Sequence, residues 1–177
     1  MATTIQNFFS RAAEKQFARD FLFRVKQINV EGVSFDGDGD LVYARSAQLP
    51  GRNIENKTVN YYGQSFNVPG KSTYPGSEAY SIEFFHDENN ELRTKFEAAS
   101  RAVFNNETST GQYGMPGDGD LITLDVINKE LVPIQTIQLV GASIRDINAI
   151  DYSIADGTGE ILNTTVTFSY HFYRDFS

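Results

Sequence analysis

The stretch Ile161-Leu-Asn-Thr-Thr-Val-Thr-Phe-Ser-Tyr-His-Phe-Tyr173 alternates between apolar and polar residues. Its apolar positions are Val166, Phe168, Tyr170 and Phe172, and threonine, serine and histidine fill the positions between them. A period of two predicts a β-strand with one buried face. The strand is long and has no proline or lysine to protect an edge. It is therefore either an edge that pairs with a neighbouring subunit or an ordinary central strand, and the strand taken alone favours the second.

Similar strand patterns occur along most of the chain, which is rich in phenylalanine and tyrosine. A polar region, residues 52–79, contains a possible long hairpin with its turn near Gly63-Gln64. The sequence thus predicts a mainly β protein. Its further strands are Leu22–Val30, Leu41–Leu49, Lys57–Tyr62, Ser65–Val68, Tyr80–Phe84, Leu121–Ile127, Ile134–Gly141 and Ile150–Ile154.

One helix is predicted over about 88–104, where Leu92, Phe96, Ala99 and Val103 form an apolar stripe. Asp87 or Asn89 can cap its first turn, and Glu97 and Arg101 have the spacing of a favourable ion pair.

A short helical arm is predicted over residues 1–18. Its apolar residues recur at helical spacing, and Thr3 with Gln6 fits a capping box. Such an arm docks either on a neighbouring subunit or on its own domain. The apolar residues are Ile5, Phe8, Phe9, Ala12, Ala13 and Phe17.

The composition limits the possible functions. A length of 177 residues fits one domain, and the absence of cysteine excludes disulfides and thiolate metal sites. No signal peptide or membrane-spanning apolar run is expected. The net charge of −8 argues against a protein that grips DNA, because such proteins neutralise phosphates with basic residues. An acidic surface would keep DNA from sticking inside a conduit, although the same charge also serves solubility alone.

No motif for catalysis or cofactor binding is complete, so we expect no enzyme and no cofactor. Asp36, Asp38 and Asp40 resemble the start of a calcium loop, but the required sixth and twelfth residues are missing. Gly70-Lys-Ser-Thr73 lacks the earlier glycine of a phosphate-binding loop. The two histidines, His86 and His171, have no metal-ligand spacing.

Four segments, in order, resemble the tail tube protein of T4-like contractile bacteriophages, a family that includes the inner tubes of other contractile injection systems. The similarity is closest at His86-Asp-Glu-Asn-Asn-Glu-Leu-Arg-Thr-Lys-Phe96, an acidic helix entry followed by Arg-x-Lys-Phe. It covers most of the chain, and the order and spacing of the segments carry it. The segments are Phe17-Ala-Arg-Asp-Phe-Leu-Phe-Arg-Val25, Tyr43-Ala-Arg-Ser-Ala-Gln-Leu-Pro-Gly51, Tyr80 to Phe104 and Ile161 to Phe176.

The resemblance implies a single tail-tube domain over 1–177, an antiparallel β-sandwich or barrel with one flanking helix. It implies hexameric rings that stack into a tube, with a hairpin at about 52–76 contacting the next ring. The implied partners are further copies of the chain, a sheath protein, a baseplate tube-initiator, a tail terminator, and tape-measure protein and DNA in the lumen. The implied location is the virion, after assembly in the host cytoplasm. The interface candidates are Arg52, Lys57, Tyr61, Tyr62, Lys71, Tyr74, Phe168, Tyr170 and Phe172.

Three alternatives remain at this stage. The chain could be the inner tube of a secretion or toxin-injection system, whose lumen carries protein, or a baseplate tube-initiating protein. The third alternative is a monomeric β-sandwich that binds a sugar or peptide through loop aromatics such as Tyr61, Tyr62, Tyr74 and Tyr113. Tyrosine is also common at protein interfaces, so these residues do not separate the classes.

Overall fold

The computed structural model describes residue 5 and residues 19–37, 39–153 and 159–176. Apart from Ile5, the predicted arm over 1–18 lies outside the described residues. Asp38 of the predicted calcium-like turn lies outside them as well.

The described residues form antiparallel strands and one α-helix, as the sequence predicts. The helix, α1, spans Glu91–Val103, and a 3₁₀ turn spans Leu41–Tyr43. The strands are β1 (Phe23–Val30), β2 (Val33–Asp36), β3 (Ala44–Ser46), β4 (Asn53–Tyr61), β5 (Gln64–Thr73), β6 (Tyr80–Phe85), β7 (Phe104–Asn105), β8 (Thr110–Gly111), β9 (Leu121–Ile127), β10 (Pro133–Val140), β11 (Ser143–Ile147), β12 (Asn163–Ser169) and β13 (Phe172–Phe176).

Two sheets make up the body of the domain. The five-stranded sheet has the order β13-β10-β9-β1-β2, and the four-stranded sheet has the order β11-β12-β6-β3. The chain passes between the two sheets four times, and two of these crossings, from β10 to β11 and from β12 to β13, take only two residues each. The remaining strands form two small hairpins, β4–β5 and β7–β8, which are separate sheets.

Helix α1 closes the core between the two sheets through one aromatic side chain. The Phe96 ring lies 4.3 Å from Phe35 of the five-stranded sheet. It also lies 5.4 Å from Phe84 and 6.1 Å from Phe168, both in the four-stranded sheet. All four rings are fully buried. Burying a phenylalanine stabilises a fold by about 1.5–3 kcal/mol, so this cluster is a major contribution to folding.

The predicted capping residue and ion pair of the helix are confirmed, although the helix begins at Glu91, three residues after its predicted start. The Asp87 carboxylate accepts hydrogen bonds from the backbone N–H groups of Glu91 (2.7 Å) and Leu92 (3.4 Å). The predicted pair of Arg101 and Glu97 is present at 3.6 Å, and Glu97 also binds Arg93 at 3.0 Å. The carboxylate at the helix start satisfies amides that have no partner within the helix.

The C-terminal stretch is not the single long strand that its alternation predicts. It divides at Tyr170 and His171 into β12, which lies between β11 and β6, and β13, which is an edge of the other sheet. After the break the core-facing positions shift by one, because Tyr173 packs against the core and Phe172 does not. The regular alternation of the sequence therefore does not carry through the change of sheet.

Two other strand predictions were wrong. The strand predicted over 150–154 is absent from residues 150–153, and Ile154 is not described. The Asn148 side chain accepts a hydrogen bond from the backbone N–H of Thr165 (2.7 Å) beyond the last β11–β12 pair. The strand predicted over 41–49 contains a 3₁₀ turn followed by the short β3, because Asp40 to Tyr43 turns the chain before it reaches β6.

One buried carboxylate ties three strands of the larger sheet together. Asp125 of β9 accepts hydrogen bonds from Arg24 of β1 and from the Thr136 hydroxyl of β10, both at 2.7 Å. Burial alone would raise the pKa of Asp125, but these hydrogen bonds and the nearby charge of Lys26 outweigh it and hold the pKa below its usual range.

We expect the Asp125 network to make stability depend on acid pH. Its pKa is lowered in the folded state, so its contribution is present above the unfolded value of about 3.9 and is lost as the pH falls through the folded value. Asp125→Asn should cost about 1–3 kcal/mol at neutral pH and should flatten this acid dependence. Urea unfolding of both proteins at neutral pH and below about pH 4 measures it. Asp118→Asn, at an exposed carboxylate, is the control; equal acid sensitivity in all three proteins would contradict this role for Asp125.

Candidate assembly surfaces

The β4–β5 hairpin, which we call the ribbon, is the most exposed element of the fold. Its strands pair from Asn53↔Thr73 to Tyr61↔Gln64, and almost every residue in both strands is exposed. Tyr62 and Gly63 form the connecting turn with φ angles of 48° and 78°, as in a two-residue type I′ turn. An isolated two-stranded hairpin is marginally stable in water, so the ribbon is an element that benefits from a partner.

The two faces of the ribbon differ in chemistry. Cross-strand neighbours share a face, so the pairs Lys57–Val68, Val59–Phe66 and Tyr61–Gln64 define one face that is largely apolar. Val59 and Phe66 are 52% and 50% exposed. The pairs Thr58–Asn67 and Asn60–Ser65 define the opposite face, where their side chains contact at 3.3 and 2.8 Å. The polar face satisfies itself with hydrogen bonds, whereas the apolar face has no cover.

The ribbon also differs from the rest of the chain in charge. Residues 52–73 contain Arg52, Lys57 and Lys71 against the single acid Glu55, a net charge of +2 in a chain whose net charge is −8. Lys71 and Glu55 lie 3.6 Å apart with exposed side chains, which is worth little for stability. The ribbon is thus a basic element attached to an acidic domain.

Tyrosines attach both ends of the ribbon to the core. Tyr74, directly after β5, packs edge-on against Tyr173 with ring centroids 5.5 Å apart. Before β4, the Gln48 carbonyl accepts a hydrogen bond from the Tyr80 hydroxyl at 2.5 Å, and Tyr80 packs edge-on against Tyr170 at 5.9 Å. Burial raises the pKa of both the Tyr80 and the Tyr170 hydroxyl, so both stay neutral and able to donate.

Of the nine interface candidates, five are exposed, two are partly buried and two are buried. Five lie on or beside the ribbon and are exposed: Arg52, Lys57, Tyr61, Tyr62 and Lys71. In contrast, Phe168 and Tyr170 are buried in their own protomer, which corrects the expectation that their side chains face a neighbour. Tyr74 belongs to the tyrosine anchor just described. Phe172 is partly buried on the edge strand β13, where its ring lies 5.5 Å from the Arg174 guanidinium.

The candidate set drawn from the sequence missed the apolar face itself. Val59, Phe66 and Val68 carry most of that face, together with the predicted Tyr61. The alternation of Lys57, Val59 and Tyr61 could have indicated it. Their partners across the turn could not be assigned without the register, which a one-residue slip would reverse.

His86 and Asp40, two of the residues considered as metal ligands in the sequence, pair with other side chains of the described part of the chain. The His86 ring bridges the Thr164 and Tyr152 hydroxyls at 3.1 Å each, and Asp40 forms an ion pair with Lys95. Among the residues that the structure describes, no group of three histidine, aspartate or glutamate side chains is placed to hold a metal ion. In the same part of the chain, no helix is long and apolar enough to cross a membrane.

Comparison with solved structures finds the same fold in components of contractile injection systems. The chain matches a chain in the six-fold symmetrised cryo-EM structure of the anti-feeding prophage baseplate with a TM-score of 0.58 and 14% identity, over 92% of this chain and 95% of the other. It matches a chain in the cryo-EM structure of the anti-feeding prophage tube-terminating cap with a TM-score of 0.60 and 11% identity, over 92% of this chain and 93% of the other. A chain in the PVC extracellular contractile injection system sheath/tube terminator gives 0.58 and 11%, over 92% and 99%.

No protein-family profile and no curated protein matches the sequence. At these identities the likeness shows a shared fold, and it spans nearly the whole of each chain. The affiliation with T4-like phages in particular stays a prediction.

We expect limited trypsin digestion of the unassembled protomer to cut the ribbon before it cuts either main sheet. Lys57 and Lys71 lie in exposed strands with no packing beneath them, so local opening is easy there. Mass spectrometry of the early fragments identifies the cut sites. Lys26 in β1 and Arg174 in β13 are the internal controls, since both lie in the five-stranded sheet, and earlier cleavage at these sites would contradict an unsupported ribbon.

Proposed function

We propose that this protein is a structural, non-enzymatic subunit of the inner tube of a contractile injection machine. One observation carries the proposal: the ribbon presents an uncovered apolar face and belongs to neither main sheet. A lone β-hairpin with such a face is stabilised when a neighbouring copy covers it. The shared fold with components of contractile injection systems supports the same conclusion.

The finer proposal is a hexameric ring that stacks into a hollow conduit. The edge strands of the two described sheets are β2, β13, β3 and β11, and an edge strand can pair with a strand of a neighbouring subunit. A head-to-tail interface of this kind makes a ring when its rotation closes. The six-fold symmetrised baseplate that contains a similar chain supports a ring of six. The expected partners are other copies, a sheath, a tube initiator, a terminator and a tape-measure protein.

Phage DNA delivery from a virion tail is the cargo and location that we propose first, on the resemblance to T4-like tube proteins. The acidic net charge is compatible with a lumen that does not bind DNA. A toxin-injecting tube is the second candidate, because similar chains occur in the anti-feeding prophage and in the PVC extracellular system. The contents of purified particles separate the two.

A monomeric ligand-binding module receives less support from the aromatic side chains. Tyr61 and Tyr62 contact each other at the ribbon tip with ring centroids 4.6 Å apart. Tyr74 packs against Tyr173, and Tyr113 packs against Phe104. These ring contacts lie in three separate pairs and do not form one aromatic binding site.

The test is negative-stain electron microscopy of the purified protein over a range of concentrations, with and without a nucleating baseplate complex. Rings or hollow tubes of uniform width are expected. A persistent monomer under both conditions would overturn the tube function.

The ribbon face gives a sharper prediction. Val59→Glu should abolish tubes because it places a charge at the centre of the apolar face, where burial without a partner is costly. Thr58→Glu adds the same charge one residue away on the polar face and should leave tubes intact. Circular dichroism and thermal melting check that both variants fold. Equal loss of assembly in both would contradict docking through the apolar face.

A further inference from the structure

The turn between β9 and β10 holds a leucine in an unfavourable conformation. Backbone bonds from Asn128 N–H to the Val132 carbonyl (2.9 Å) and from Leu131 N–H to the Asn128 carbonyl (3.0 Å) close a three-residue loop. Leu131 takes the left-handed position of this loop, with a φ of 60°, where glycine is usual. Its side chain is also 69% exposed. The left-handed backbone of this leucine opposes folding, and its exposed side chain adds little to the core, which suggests that another role keeps it there.

The ribbon tip repeats this combination. Five non-glycine residues have positive φ in the described part of the chain, and three of them, Glu31, Asn90 and Ser109, are polar. The other two are Leu131 and Tyr62, and Tyr62 is 90% exposed. The turns at Tyr62 and Leu131 therefore both present a large side chain with apolar surface to solvent.

Other exposed apolar side chains lie towards the same end of the five-stranded sheet as Leu131. The last strand pairs at this end are Phe23↔Val126 and Pro133↔Ile127, followed by a hydrogen bond from the Ile127 N–H to the Leu22 carbonyl (3.1 Å). We call the set the far-end patch. It consists of Phe21, Leu131, Val132, Ile134 and Phe176, all more than half exposed.

The ribbon is attached towards the opposite end of the same sheet. Its anchor Tyr74 contacts Tyr173, which pairs with Leu139 of β10. Leu139 and Ile134 are five residues apart on one strand, a separation of about 17 Å. A protomer thus has an uncovered apolar ribbon near one end of the sheet and an uncovered apolar patch at the other. Two different surfaces at opposite ends allow head-to-tail contact that repeats indefinitely.

We propose that the far-end patch is the docking site for the apolar face of the ribbon from a second copy of the chain. The occupant is a second copy because the ribbon carries a net charge of +2 and the whole chain carries −8, so another copy attracts the ribbon. This contact covers the exposed side chain of Leu131 with the apolar side chains of the ribbon. The inference rests on the proposed tube function and names the acceptor surface for its axial contact.

Cysteine pairing tests the contact directly, because the chain has no cysteine of its own. Chains carrying Leu131→Cys together with Val59→Cys, Phe66→Cys or Val68→Cys are assembled and oxidised. Disulfides require Cβ atoms about 4 Å apart. A head-to-tail contact should give a ladder of linked multimers on a non-reducing gel for at least one of these variants. Leu131→Cys with Thr58→Cys or Asn67→Cys, on the polar face, is the matched control and should give at least tenfold less ladder.

A second variant keeps the test independent of disulfide geometry. Leu131→Gly removes both the side chain and the backbone strain, so the melting temperature should stay the same or rise while the concentration needed for tubes rises at least tenfold. Ser109→Gly relieves a similar φ of 53° in a different turn and should leave assembly unchanged.

The outcomes separate the two proposals. Tubes that form without any apolar-face ladder, and that Leu131→Gly leaves unaffected, overturn the docking site but keep the tube function. Oxidised monomers without multimers show a contact within one protomer and also overturn the docking site. A protein that never assembles, even when nucleated, overturns both.

Discussion

The contact of Phe96 with both sheets is the interaction on which the rest of the structure depends. This one ring touches Phe35 of the five-stranded sheet and Phe84 and Phe168 of the four-stranded sheet. Helix α1 therefore fixes the distance between the sheets, and the capping carboxylate of Asp87 fixes where the helix begins. With the sheets held in place, the crossing from β12 to β13 brings Tyr170 beside Tyr80 and Tyr173 beside Tyr74. Tyr74 and Tyr80 hold the two ends of the ribbon.

This arrangement divides the chain into a self-sufficient body and a dependent ribbon. The body has a buried aromatic core of Phe35, Phe84, Phe96 and Phe168, and the buried carboxylate of Asp125 accepts two hydrogen bonds. Among the described residues, the ribbon buries almost nothing, and its tyrosine anchors lie at its two ends. A protein that must fold before it assembles gains from this division, since the body can be stable alone while the ribbon waits for a neighbour.

The sequence predicts the elements better than it predicts their arrangement. Alternation located most strands, and the apolar stripe with Asp87 located the helix, because these signals are local. Alternation reports which side chains face a core, but it does not report which sheet carries them. The division of the C-terminal stretch at Tyr170 was therefore not visible, and Phe168 and Tyr170 were misplaced at an interface. The exposed ribbon residues were identified because turn formers and charges mark an element that leaves the core.

Charge and apolar surface together restrict how copies of this chain can meet. An acidic protomer repels its copies at most orientations, which limits unspecific association. The basic ribbon weakens that repulsion in one place, and its apolar face then supplies the attraction. In the proposed contact, the apolar face of the ribbon covers the exposed Leu131, so charge and apolar surface both favour one repeated contact over many weak ones.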